Sequence, residues 1–274
     1  MNSGRNHARL ALLIAPAVAV FVAFFLLPLG RLAIESAEGG KGLGTYALIL
    51  TNSRYFESLV STIVLSALVT AATLAISTIA GLFLHRNRFP GRALLTATLT
   101  LPLAFPGVVI GFMVILLAGR QGLIGQVTSS LGLPKAVFAY SMGGLFMGYV
   151  YFSIPRVILT IKAAAEKLDP DLEAAARSCG AASWQVTRDV LLPALRPALI
   201  SSGAICFATA MGAFGTAFTL ATNIEVLPMT IYTEFTLNAQ IAVAAALSLA
   251  LGAVTWLILY AARSAAGTSV AASA

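Results

Sequence analysis

SLVSTIVLSALVTAATLAISTIAGLFL, residues 58–84, decides the fold. The run contains no Asp, Glu, Lys, Arg or His, and it exceeds the roughly 20 residues that an α-helix needs to cross a bilayer. A buried helix of a soluble protein would explain one such run. Working outward, five more follow, at residues 10–34, 93–118, 136–154, 197–222 and 239–262. A bilayer offers the backbone no hydrogen-bond partners, so each is expected to be helical. The expectation is an all-α membrane protein with six transmembrane helices in one domain over residues 1–274: an N-terminal helix, then a five-helix core over residues 58–262.

Composition agrees. The chain is 59% hydrophobic and 10% charged, against about 25% charged in a soluble domain. The first apolar segment follows Arg5, His7 and Arg9; it is too long for a signal peptide and lacks a small-x-small cleavage site, so it reads as a retained helix.

Lys and Arg accumulate in loops that stay cytoplasmic. With the N-terminus inside, Arg5, Arg9, Arg86, Arg88, Arg92, Arg156, Lys162, Lys167, Arg177, Arg188, Arg196 and Arg263 are cytoplasmic, and Arg31, Lys41, Arg54, Arg120 and Lys135 are outside. This bias predicts N-in, C-in, while the acids divide evenly. The net charge of +7 lies in short stretches beside apolar runs instead of one stripe, which argues against nucleic acid as a partner. Cys179 and Cys206 are too few for a disulfide framework or metal cluster. Pro102 and Pro106 predict a bent third span, and the pairs Gly107–Gly111 and Gly144–Gly148 predict close helix packing, within the chain or at a subunit interface.

The longest cytoplasmic stretch, residues 156–196, contains LDPDLEAAARSCGAASWQVTRDVLLPALRP, residues 168–197. Asp169 can cap a helix beginning at Pro170, with Asp171 and Glu173 in the first turn where the backbone amides favour negative charge. Alanines 174 to 176 propagate it, and Gly180 stands where a left-handed stop places glycine. Ser183 can cap a second helix, with Pro193 and Pro197 leading into the fifth span. The expected product is a short helix-turn-helix between spans four and five. Its smooth alanine face suits a groove on another protein, or else belongs to a compact loop.

This stretch resembles the EAA loop of ABC importer permeases: Glu-Ala-Ala, three residues, Gly, nine residues, an aliphatic, one residue, Leu-Pro. Gly180, Val190, Leu192 and Pro193 keep that spacing. The glutamate position holds Ala174, and the nearest carboxylate, Glu173, lies one residue earlier. Residues 58–262 resemble the five-helix core of these permeases, LPLAFPGVVIG at residues 101–111 is similar to the third-span region of polyamine, phosphonate and iron-type members, and GRQGLIG at residues 119–125 to a segment shared with molybdate permeases. The resemblance implies a type I importer subunit, not an enzyme, whose loop is a coupling helix seated in a cytoplasmic ATPase. Glu173, Ala174, Ala175, Ala176 and Gly180 are then the docking residues. It also implies a multi-pass chain in the bacterial inner membrane, a second permease subunit, identical or not, and a periplasmic binding protein. ATP and Mg belong to the ATPase partner, with no cofactor in this chain. Polyamine-like or aminophosphonate-like solutes are favoured; ferric iron, thiamine and molybdate remain open.

Other classes meet physical objections. An ion-coupled transporter needs ionisable groups buried in its bundle, and the middles of the expected spans have none. An intramembrane enzyme needs a nucleophile with its base, or metal ligands, and none cluster. A phosphate loop ending in Lys-Ser or Lys-Thr is absent, so ATP is handled elsewhere. A membrane scaffold is opposed only by the loop pattern and the polar span faces. Along the fifth span, Ser201, Ser202, Thr209, Thr216 and Thr219 either line the solute path or bond their own helix carbonyls. The outer loops, residues 35–57 and 223–238, are expected to meet the binding protein, with Glu225 and Glu234 touching it or solvated.

Overall fold

The computed structural model describes residues 13–38, 42, 44–220 and 224–266. Arg5, His7, Arg9, Lys41 and Asn223 lie outside the described residues. Among the described residues there is no strand, and the helices run α1 (Leu13–Glu38), α2 (Gly44–Thr51), α3 (Ser53–Arg86), α4 (Arg92–Thr100), α5 (Gly107–Ala118), α6 (Leu123–Ser130), α7 (Met142–Glu166), α8 (Pro170–Ser178), α9 (Ser183–Met211), α10 (Gly215–Leu220), α11 (Leu227–Thr236) and α12 (Ile241–Ala266). Six stretches are long and apolar enough to cross a membrane: Leu13–Glu38, Ser53–Arg86, Gly107–Ser130, Met142–Glu166, Ser183–Met211 and Ile241–Ala265.

The chain divides into two compact units. One takes the residues up to Phe56 together with Thr230–Ala250; the other takes Glu57–Met229 and the chain from Leu251 onward. In the first unit Glu234 is 1% exposed, accepts from the Arg54 guanidinium at 3.3 Å and from the Asn238 amide at 3.0 Å. Glu234 therefore neither meets solvent nor presents a free carboxylate to a binding protein, contrary to both sequence expectations. Its partner and its capping amide offset the desolvation that a lone buried carboxylate would suffer.

The larger unit packs α3, α5, α7, α9 and α10 around Leu65, Val69, Val114, Leu145, Ile161 and Leu195. Buried Ser58, Thr62, Ser66, Thr73 and Ser77 recur along α3, a stripe the sequence reading did not single out. Small hydroxyls at that spacing permit close helix approach, since they can bond backward to their own helix; Thr62 does so to the Ser58 carbonyl at 2.7 Å while accepting from the Leu227 N–H at 2.7 Å.

Four sequence expectations change. The third span, expected as one bent helix over residues 93–118, is broken: α4 tightens into a 3₁₀ turn at Leu101–Ala104, Phe105 is extended, and α5 starts afresh at Gly107. Pro102 and Pro106 each remove a donor, and Pro106 also forces the preceding residue out of the helical region. The fourth span, expected at residues 136–154, begins at Met142 under a Ser141 cap and runs through Pro155 to Glu166. The Ser77 hydroxyl donates to the Ile154 carbonyl at 3.3 Å beside this proline. Arg156 and Lys162, read as loop residues, are thus helical, and the loop expected over residues 156–196 shrinks to the α7–α9 connection. The fifth span does not begin at Pro197. It is continuous with the second helix of the expected helix-turn-helix, from Ser183 to Met211, and widens into a π turn at Val186–Leu191. A π turn ahead of Pro193 gives room to the ring that would otherwise strike the preceding turn. Lastly, Ala182 and not Ser183 is the N-cap, because the Gln185 side chain reaches back to accept from the Ala182 N–H at 2.7 Å.

The glycine pairs serve packing inside the chain. A Cβ placed on Gly111 would stand 2.6 Å from the Thr219 Cβ, and one on Gly148 would stand 3.0 Å from the Thr216 methyl. α5 and α10 therefore touch backbone to side chain with no room for even a methyl group.

Candidate functional site

Two places in the larger unit concentrate polar chemistry, the α8 surface and the cavity where α5, α7, α9 and α10 meet.

α8 forms as its sequence dictates. The Asp169 carboxylate accepts from the Asp171 N–H at 3.0 Å, Pro170 occupies the first turn, and Gly180 stops the helix at φ +82°, a conformation that costs a side-chain-bearing residue about 1–2 kcal/mol. Ala174, Ala175 and Gly180 are exposed and Ala176 is half-buried. Glu173 faces back onto the chain: its carboxylate accepts from the Arg86 guanidinium at 3.0 Å, and Arg177 lies 3.8 Å away. Arg86 also donates to the Thr187 hydroxyl at 3.2 Å. One arginine at the end of α3 thereby holds both α8 and the first turns of α9. Sequence reasoning assigned Arg86 only to the cytoplasmic charge count, since no local pattern links positions separated by 87 and 101 residues. Leu172 and Trp184 add exposed apolar area beside the alanines, and the Arg188 guanidinium lies 5.1 Å from the Trp184 ring centroid. Two further ion pairs, Arg92 with Glu166 at 3.8 Å and Lys162 with Glu166 at 3.4 Å, close the end of α7.

The cavity arises from two helix breaks. α9 stops at Gly212 and α10 restarts at Gly215, beside the start of α5 at Gly107. The Thr216 hydroxyl donates to the Gly107 carbonyl at 2.9 Å, Thr219 donates to the Gly215 carbonyl at 2.9 Å, and the Tyr149 hydroxyl donates to the Ala213 carbonyl. The Tyr149 bond satisfies a carbonyl in the break between α9 and α10, which an apolar surrounding would otherwise penalise, while the Thr216 bond ties α10 to the first turn of α5. Of the five hydroxyls expected to line a path, Thr209 and Thr216 wall a cavity of about 240 Å³ with Tyr149, Phe152 and Ser153. Ser201 and Ser202 donate to carbonyls one turn back in their own helix, at 3.2 and 3.3 Å. Among the described residues no group of His, Cys, Asp and Glu is placed to hold a metal ion.

Comparison with known proteins agrees with this architecture. Residues 73–266 match the family described as binding-protein-dependent transport system inner membrane component. The chain is 34% identical over 191 residues to the molybdenum transport system permease protein ModB of Escherichia coli K12, covering 68% of this chain and 82% of that one. It is 31% identical over 248 residues to the sulfate transport system permease protein CysW of Synechocystis, covering 89% of each. A third relative, a putative 2-aminoethylphosphonate transport system permease protein, PhnU of Salmonella typhi, is 29% identical over 251 residues, covering 89% of this chain and 86% of that one. In fold, the chain superposes on a bacterial ABC transporter involved in import of the acidic polysaccharide alginate, with TM-score 0.79, 17% identity and 96% of each chain covered. With six apolar spans and a family match over most of its length, this multi-pass membrane chain belongs to the binding-protein-dependent inner membrane components, and is a non-catalytic permease subunit of a type I ABC importer.

Proposed function

We propose that the chain pairs with a second permease subunit, identical or not, to carry a small oxyanion delivered by a periplasmic binding protein. ATP and Mg are bound by cytoplasmic ATPase subunits that dock on α8. The orientation is N-in, C-in in the bacterial inner membrane, which puts α8 on the ATPase side. The observation that carries the docking assignment is the form of α8: a capped, glycine-stopped helix with exposed Ala174 and Ala175, tied through Arg86 to a membrane span. A docking helix that transmits motion needs both a smooth outer face and a stiff inner tether.

The relatives named for molybdenum, sulfate and 2-aminoethylphosphonate transport support an anionic cargo. They favour the aminophosphonate side of the sequence expectation over the polyamine side, and molybdate gains with it. Ala174, Ala175, Ala176 and Gly180 are the proposed ATPase contacts. Glu173, engaged by Arg86, positions the helix.

The test is reconstitution of the whole complex with Ala175→Asp and Gly180→Trp. Loss of ATPase co-purification, or of solute uptake with ATP hydrolysis retained, is the expected result. Full binding and uptake in both variants would remove α8 as the docking element.

A further inference from the structure

We infer that Arg156 is the cation that receives the anionic solute within this subunit, at the rim of the cavity walled by Thr209 and Phe152.

Arg156 lies well inside a membrane helix. Residues 142–155 precede it in α7 without a charge, and Val157–Ile161 follow without one before Lys162. The neighbouring helix sets its level. Ser77 bonds the Ile154 carbonyl and stands nine residues before Arg86 in α3, which is about 13 Å at the rise of an α-helix. Arg86 itself meets α8. A guanidinium at that depth is not left facing lipid.

An arginine with only a structural role at such a position would turn toward the nearer helix end, where its head reaches water. Arg156 turns the other way. Its guanidinium carbon lies 5.9 Å from the ring centroid of Phe152, one turn back toward Met142. It donates to the Thr209 hydroxyl at 3.2 Å, close to the Met211 end of α9. Thr209 can accept because its own proton goes to the Ile205 carbonyl at 2.8 Å.

The charge is also unneutralised. Among the described residues Arg86 and Arg92 each meet a carboxylate within 4 Å, whereas the only polar partner of Arg156 is Thr209. Most of its N–H donors remain for a ligand, in the fork that matches tetrahedral and planar oxyanions. Phe152 and Thr209, which its guanidinium meets, both wall the cavity of about 240 Å³, which has room for a small solute with some of its water. Gly107, the first residue of α5, walls it too, an N-terminus whose dipole favours the same sign of charge. A polyamine would meet repulsion here, so this inference rests on, and sharpens, the anionic cargo proposed above.

The test uses the complete complex in vesicles with its binding protein, offered labelled molybdate, sulfate, 2-aminoethylphosphonate or spermidine. The wild type should import one of the oxyanions. Arg156→Gln should lower that uptake by about tenfold or more, as loss of a charge-assisted contact implies, with the purified complex intact by size-exclusion chromatography. Arg156→Lys, which keeps the charge but not the fork, should raise KM severalfold, and so covers a Gln variant that fails to assemble. Thr209→Val should raise KM to a smaller degree. Oxyanion uptake with wild-type KM and rate in Arg156→Lys and Thr209→Val, or in Arg156→Gln, would overturn the inference while leaving the cargo reading in place. Import of spermidine and of no oxyanion by the wild type would overturn the cargo reading, and this inference with it.

Discussion

The α8 surface and the α9–α10 break are built from similar small residues, yet they treat charge and backbone in opposite ways. At α8 one short segment supplies its own cap, its own stop and a paired glutamate. At the break, hydroxyls of α7 and α10 bond backbone carbonyls of other segments, Tyr149 to Ala213 and Thr216 to Gly107, and among the described residues the nearby Arg156 meets no carboxylate. On the proposed function, α8 would have to be rigid before a partner arrives, which suits its internally paired glutamate, and a solute cavity would have to leave something open.

The largest expected effect separates the two regions by packing. Gly111→Leu should destabilise the α5–α10 contact by about 3 kcal/mol, because an added side chain meets Thr219 with no space to relax. It would appear as a lower melting temperature and less monodisperse protein in detergent. The same bulk at Gly180, where no atom lies within 4 Å of an added Cβ, meets only the backbone penalty. Gly180→Val should therefore cost about 1.5 kcal/mol of helix-stop strain, seen as weaker ATPase co-purification, with Gly180→Asn close to wild type. If Gly180→Val instead matched Gly111→Leu in melting temperature, the proposed contrast between exposed surface and packed helix contact would fail.

Smaller effects sharpen the picture at α8. Arg86→Glu and Glu173→Arg should each reduce ATP-coupled uptake severalfold, and the double swap should restore it, with a coupling energy of about 1 kcal/mol for a partly exposed pair. Failure of the swap to restore would mean that Glu173 acts outward on the ATPase. Asp169→Ala should lose about 0.5 kcal/mol of cap, measured by hydrogen exchange at the first amides of α8, with uptake nearly unchanged.

What could be read in advance follows from how far apart the interacting residues lie. Asp169, Pro170 and Gly180 act on neighbours within a turn, so their roles were legible from consecutive letters, and the six apolar runs were legible from length alone. The tether through Arg86 was not, nor the meeting of Gly107, Tyr149, Thr209 and Thr216 at one cavity, since these contacts join distant positions with no shared period. Arg156 was misplaced for a related reason. Pro155 reads as an end, and only the packed helix, with Ser77 beside the proline, shows the span continuing for three turns more.

The continuity of α9 has a mechanical consequence. Its second turn touches Arg86 through Thr187 and its last bears the hydroxyl that accepts from Arg156, so loop and cavity are opposite ends of one rod. The π turn at Val186–Leu191 is the place along it where the backbone ladder is already widened, and hence a pivot. From there to Thr209 the arm is about 27 Å, so a tilt of about 10° at the pivot sweeps the Thr209 end through roughly 5 Å. A displacement of that size exceeds the reach of a hydrogen bond. On the proposed function, a modest rocking at the docked end would thus carry the Thr209 hydroxyl out of reach of the guanidinium.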